Sequence, residues 1–322
     1  MSILKMMTAS IAVYACTTMT SVSASPQYQK KISITFDDVP IHGEFAVSAE
    51  SLKQINDKLL AILKKHNIKA TGFVNEGHLK NNPELLTSLL SAWKKQGHTL
   101  GNHTFSHLSY HQTDLNTYLA DIQKGAATTQ NVLGEQTQRF FRPPYLHTGA
   151  TNKAQHTLYH GLKKLGLTLA PVTMENADYV FDAPYTAKLR NKHVSAAEFY
   201  QQQYLAFTET RLDFYENVST KLFAEPIPHI VMLHVNQLNA DSLDSILTSL
   251  QSRGYQFQSL ESTLQNPIYS QPTQAFKFGI HWLFRWDKSQ DNKVNWATEP
   301  EPSSDVFNAH QQAIITLNKG KL

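Results

Sequence analysis

Leu162-Lys163-Lys164-Leu165-Gly166, running on into Leu167-Thr168-Leu169-Ala170, is the stretch whose reading decides the fold. An amphipathic segment ends in two basic residues, which suit the negative end of a helix dipole. A glycine able to take the left-handed cap follows, and an apolar run then starts a strand. The same phrase occurs three more times. Leu63-Lys64-Lys65-His66-Asn67 leads into Ile68–Val74, Trp93-Lys94-Lys95-Gln96-Gly97 into His98-Thr99-Leu100, and Leu250-Gln251-Ser252-Arg253-Gly254 into Tyr255-Gln256-Phe257. Helix-cap-strand units at intervals of roughly 30 to 40 residues mark βα units around a parallel sheet. Further strands are expected at Ile32–Phe36, Arg139–Phe141 and Ile230–Val235, so the fold class is α/β. Polar residues able to do chemistry sit at the ends of many different strands, which favours a closed barrel over an open sheet.

The chain has 322 residues, 41% hydrophobic and 17% charged, enough for one large barrel-sized domain with an appendage. A formal net charge of +3 is too mild to argue for nucleic acid, and no basic run or glycine-rich phosphate loop is present. Residues 1–24 read as a secretory signal: Lys5 is their one charge, an apolar stretch follows, and Val22-Ser23-Ala24 suits cleavage. The run is short and rich in Thr and Ser, so no stable membrane span is expected after processing. The single cysteine, Cys16, lies inside this segment, which excludes thiol chemistry from a chain cut after Ala24. A lipid anchor on Cys16 is the alternative to export as a periplasmic or secreted protein.

The chemistry begins where strand Ile32–Phe36 runs into Asp37-Asp38. One carboxylate there reads as a cap or turn residue, but the pair acquires meaning from His103-Thr104-Phe105-Ser106-His107. Two histidines four apart are expected to face the same way on a helical turn and to reach one metal ion. A carboxylate from the aspartate pair would complete a facial site, leaving a second carboxylate beside it for metal-assisted hydrolysis. Neighbouring residues of an extended strand point to opposite faces, so a turn at Asp37 is needed to aim both inward. With 15 histidines in the chain, any one of them is more often surface or core than ligand. His98 should precede its strand and His111 should lie beyond the first helical turn, so neither is chosen.

Arg142-Pro143-Pro144-Tyr145 follows Phe140-Phe141. Its prolines remove two amide donors, making the Tyr145 amide the next one able to face an oxyanion. His234 closes an apolar run; it reads either as a structural histidine or as a proton donor held in one tautomer by Asp178.

Together these motifs resemble the polysaccharide deacetylase family with the nodulation-protein-type domain, in order over residues 31–262. Thr35-Phe36-Asp37-Asp38, His103–His107, Arg142–Tyr145, Asn176-Ala177-Asp178-Tyr179 and Leu233-His234 match its five motifs in turn. The resemblance implies a distorted (β/α) barrel and an amidohydrolase acting on an N-acetylated polysaccharide or oligosaccharide. It also implies roles: Asp37 as base, Asp38, His103 and His107 on one divalent ion (zinc, given the imidazoles), and Arg142 orienting the base. Tyr145 would stabilise the oxyanion through its amide and contact substrate, His234 would be the acid with Asp178 behind it, and Tyr179 would meet substrate. Val39, Leu146 and Tyr179 depart from the family pattern and are expected to line the groove, where they bear on substrate identity. Acetyl-xylan ester hydrolysis with the same site, or silent carbohydrate binding, are the alternatives.

The organisation expected is a signal at 1–24, a linker at 25–30, the barrel at 31–262 with an insert near 182–226, and an extension at 263–322 of no assigned role. Val194–Tyr215 in the insert has helical character, and Lys288–Ser304 reads as a surface loop or linker. Strict alternation of Phe276, Phe278, Ile280, Trp282, Phe284 and Trp286 predicts a strand with one buried face, or else a sugar-stacking platform.

Overall fold

A computed structural model describes residues 29–43, 45–134, 136, 138–288 and 292–319. The expected signal and Cys16 lie outside the described residues. Eight strands occur among the described residues: β1 (Lys31–Val39), β2 (Thr71–Val74), β3 (Thr99–Asn102), β4 (Phe140–Phe141), β5 (Thr168–Leu169), β6 (Met174–Glu175), β7 (His229–His234) and β8 (Gln256–Phe257). All pairings are parallel, in the order β5-β4-β3-β2-β1-β7-β6, with β8 on the first residues of β1. The sheet curls into the distorted barrel that the motifs imply. Between β5 and β6 no ladder forms, and the chain itself spans the gap. Ala170 donates to Phe141 on one side and Thr173 to Ile230 on the other, so Pro171 sits where no ladder donor is required.

Each cap in the recurring phrase is present. The helices Ala49–Lys65, Pro83–Lys95, Asn152–Lys164 and Gln237–Ser252 are followed by Asn67, Gly97, Gly166 and Gly254, all with positive φ. The stripe Leu85, Leu86, Leu89, Leu90 and Trp93 is buried against the sheet, each side chain contributing about 1.5–3 kcal/mol.

Register places the chemistry. Asp37 lies directly beside His234 in the β1–β7 ladder, Val39 beside Val74, and Asn102 beside Phe141. The strands therefore end level, and whatever follows them projects from one rim of the barrel.

Two expectations need correction. Phe276–Trp286 is not a strand: residues 276–281 are irregular and Trp282–Lys288 is a helix. Trp282 and Trp286 are four apart, a spacing that satisfies a helical face as well as an alternating one, and both are buried rather than offered to a sugar. The departure at Val39 also falls outside the groove, because its side chain is fully buried beside Gly72. The insert consists of two helices, Asp178–Arg190 and Val194–Leu222, the second running further than the sequence suggested. A last helix, Ser304–Asn318, packs on Asp178–Arg190. No helix of the described residues is long and apolar enough to cross a membrane.

Candidate metal and catalytic site

A β-bulge between Phe36 and Val39 solves the problem of two adjacent aspartates. Asp38 takes φ 56°, so both carboxylates emerge on the same rim, inside the strand rather than on a turn after it. Asp37 and Asp38 are 2% exposed.

His103 and His107 converge on Asp38, though not from a helix. The segment after β3 is irregular, with Thr104 at φ 61° and His107 at φ 53°, and the next helix starts only at Leu115. Asp121 fixes this loop by accepting from the Phe105 and Ser106 amides and the Ser106 hydroxyl. The Nε2 atoms of His103 and His107 stand 3.7 and 3.5 Å from Asp38 Oδ1. Nδ1 of His103 lies 2.7 Å from the Arg142 carbonyl, which makes it the protonated nitrogen and turns the lone pair of Nε2 inward. Asp38 Oδ1 is buried with no hydrogen-bond partner among the described residues, and an unpaired buried carboxylate oxygen is costly unless a cation meets it. One oxygen and two imidazole nitrogens, mutually within 4.8 Å, form a donor set that fits a divalent ion of the zinc type.

The electrostatics agree. Burial pushes the Asp38 carboxyl up, but His107, the hydrogen bond from His42 and the nearby His78 imidazole outweigh it and hold its pKa well below the usual range. Burial takes His107 down to about 3, against the pull of Asp38, so its imidazole is neutral and able to ligate.

Asp37 sits beside this triad under Arg142. The guanidinium donates to Asp37 Oδ1 at 2.9 Å, to the Ala170 carbonyl at 2.7 Å and to Thr35 Oγ1 at 3.2 Å, and it stacks over Phe73. Held on so many sides and wholly buried, it leaves Asp37 little rotational freedom. Burial depresses the Arg142 pKa and Asp37 partly restores it.

Opposite, His234 Nδ1 lies 2.6 Å from Asp178 Oδ1, and the His234 amide donates to Asp178 Oδ2 at 2.7 Å. Asn239 also donates to Asp178 Oδ2. Asp178 opens the helix Asp178–Arg190, three residues past β6. Burial works against a charged His234, but the Asp178 carboxylate prevails and raises its pKa above the ordinary value.

A cavity of about 420 Å³ joins these groups, lined by Asp37, Asp38, His103, His107, Tyr145 and His234 among others. Tyr145 (55% exposed) and Tyr179 (38%) stand at its rim, with Tyr145 packed edge-on against His107. Tyr145 itself lies at φ 57° in the turn after Pro144. All nine candidate residues from the sequence are thus brought together. Of the three departures from the family pattern, Leu146 and Tyr179 line the cavity and Val39 does not.

Sequence reasoning missed several neighbours. His42 Nδ1 is 2.7 Å from Asp38 Oδ2, and His78 Nε2 is 3.9 Å from Asp38 Oδ1. Glu175, Gly279, Ile280 and His281 wall the cavity. His42 follows Asp38 by four residues in a non-helical stretch, where that spacing carries no signal. His98, not chosen as a ligand, accepts from the Ala70 amide through its Nδ1.

Residues 24–170 match the family model described as polysaccharide deacetylase. That stretch of the chain is similar to the polysaccharide deacetylase family. The chain is similar to the peptidoglycan-N-acetylglucosamine deacetylase PgdA of Listeria monocytogenes, 27% identical over 237 residues, 72% of this chain and 38% of that one. The chain thus spans well under half the length of that relative. It is also similar to the peptidoglycan-N-acetylmuramic acid deacetylase PdaA of Bacillus subtilis, 23% identical over 241 residues, covering 73% of this chain and 72% of the other. Among solved structures, a CE4 family pseudoenzyme from Bacillus anthracis shares the fold, with TM-score 0.51 and 17% identity over 73% of this chain and 66% of its own.

Proposed function

We propose that this chain is a metal-dependent hydrolase that removes N-acetyl groups from an extracytoplasmic polysaccharide, releasing acetate. Peptidoglycan, chitin and poly-N-acetylglucosamine are the substrate types considered. The observation that carries the reading is the buried, unbonded Asp38 Oδ1 facing two imidazole nitrogens, with the Arg142-bound Asp37 beside it. Asp38, His103 and His107 would hold one divalent ion, zinc by the chemistry of the donors. When bound, such an ion polarises the acyl oxygen and makes a water acidic enough to attack near neutral pH.

The chain's own groups supply the rest. Asp37, oriented by Arg142, takes the proton of the attacking water as it adds to the acetamide carbon. The Tyr145 amide, set by the Pro143-Pro144 turn, donates to the developing oxyanion. His234 carries its proton toward the departing sugar nitrogen, with Asp178 fixing the ring and stabilising its charged form. Tyr145 and Tyr179 offer ring faces to the sugar at the rim, as amphipathic aromatics do in polar clefts. The cavity falls in the size range of about 300–1,000 Å³ usual for small-ligand sites. Export guided by residues 1–24 would deliver the chain to such a polymer.

Acetate release from N-acetylated oligosaccharides, with Asp37→Asn and His103→Ala as controls, tests this. Asp37→Asn should keep bound zinc and lose at least about a hundredfold in turnover, as removal of a general base does. His103→Ala should lose the zinc as well. Full activity in the Asp37 variant, or acetate formed by a zinc-free protein, would refute the mechanism.

A further inference from the structure

Asp38 turns its two oxygens toward different imidazoles. Oδ1 faces His103 and His107, while Oδ2 lies 2.7 Å from His42 Nδ1. The His42 ring in turn lies against His234, with centroids 4.8 Å apart. One ligating atom each from Asp38, His42 and His234 falls within 4.8 Å of the other two, the same closeness as in the first triad. We propose that Asp38, His42 and His234 form a second, weaker cation site, bridged to the first through the Asp38 carboxylate, and that filling it inhibits hydrolysis. The inference rests on the mechanism above, and concerns its regulation by metal.

Two imidazoles and one carboxylate oxygen suit borderline divalent cations such as zinc. The second triad faces the same open cavity as the first: His42 and His234 both line it, and their side chains keep 13% and 14% of their exposure. A cation entering from the cavity reaches them without unfolding anything. The second site is the weaker of the two for two reasons. Its carboxylate charge is already shared with the first ion, and a cation must displace the hydrogen bond between His42 and Asp38.

Inhibition follows from the identity of the third ligand. Asp178 engages Nδ1 of His234, which leaves Nε2 as the nitrogen able to meet a cation. A lone pair shared with a cation carries no proton, so the leaving amine would depart without its donor. Activity should therefore rise as the first site fills and fall as the second does. A histidine serving only to orient Asp38 would give no falling limb.

The test is zinc binding, by equilibrium dialysis with metal analysis, on the full chain and its His42→Gln and His103→Ala variants. Glutamine keeps a donor for Asp38 Oδ2 but removes the imidazole, and circular dichroism checks that each variant is folded. The wild type should bind two equivalents, the second at least tenfold more weakly. His42→Gln should bind one. Acetate release by the wild type should fall at least tenfold between one and two equivalents, and His42→Gln should lack that fall. Saturation of the wild type at one equivalent, or two equivalents retained in His42→Gln, overturns the second site and leaves the first intact. A wild type that binds no zinc refutes the first site instead, and the second with it.

Discussion

The behaviour of one imidazole distinguishes the proposed acid from a structural histidine. His234 is partly buried, and its desolvation alone would lower its pKa, yet the Asp178 carboxylate raises it above the ordinary value. An acid works in its protonated form, so turnover should be sustained on the acid side and fall as pH rises through that raised pKa. Asp178→Asn keeps a hydrogen-bonding side chain of similar size but removes the charge, and burial then dominates. The alkaline limb of the pH profile of acetate release is expected to move to lower pH by about a unit or more, as loss of a charged partner implies. An unmoved limb would show that His234 is not the group being titrated. At this scale the sequence was most legible. Asp37, Asp38, His103, His107, Arg142 and His234 follow strands or lie at their ends, and the adjacency of apolar run and polar residue is visible in one dimension. His42 and His78 were not legible, because they meet Asp38 only after the bulge and the 76–79 turn bring them round.

Among the elements, the loop His103–His107 is the one whose conformation the sequence could not give. A spacing of four suggested a helical turn, and the same convergence is reached by a loop with two left-handed residues. What holds it is contributed from elsewhere: Asp121 bonds its amides, and Gly77 donates to the Phe105 carbonyl at 3.0 Å. A Cβ on Gly77 would overlap that carbonyl, which is backbone and cannot swing aside. Gly77→Ala should therefore displace the histidine loop as a unit. Overpacking of this kind costs about 1–3 kcal/mol, and misplaced ligands should lose at least about tenfold in zinc affinity. Denaturation and zinc titration would be read together. Lost stability with unchanged zinc affinity would mean that the loop's position does not set the metal site. The bulge in β1 is a second element hidden from pattern reading. Alternation demanded that Asp37 and Asp38 diverge, and a turn was the expected remedy, where the structure uses an extra residue within the strand.

In the whole molecule, the segment after β8 has a position that neither its composition nor the family motifs indicated. Gly279–His281 walls the cavity, and the buried Arg285 donates to the Leu146 carbonyl and Thr148 Oγ1, tying the helix Trp282–Lys288 to the Tyr145 turn. Arg285→Met should loosen that turn and lower kcat more than it raises KM, if the Tyr145 amide serves the transition state. Further out, Glu299 joins His281, Arg211 and Tyr215, which links this segment to the helix Val194–Leu222. Burial opposes ionisation of Glu299, but His281, Arg211 and Tyr215 carry its pKa from 4.5 down to about 2. A carboxyl whose pKa is lowered on folding stabilises the fold above its unfolded pKa, and that contribution disappears as pH falls through the folded one. The wild type should thus exceed Glu299→Gln in unfolding free energy by on the order of 3 kcal/mol at neutral pH. The difference should hold down to about pH 4.5, shrink below it, and be nearly gone by about pH 2. Urea denaturation of both proteins across that range measures the difference directly, and other carboxyls common to both cancel. A gap that stayed constant through the window would mean that Glu299 contributes by packing alone, and that its ion pairs do not fasten the C-terminal segment to the barrel.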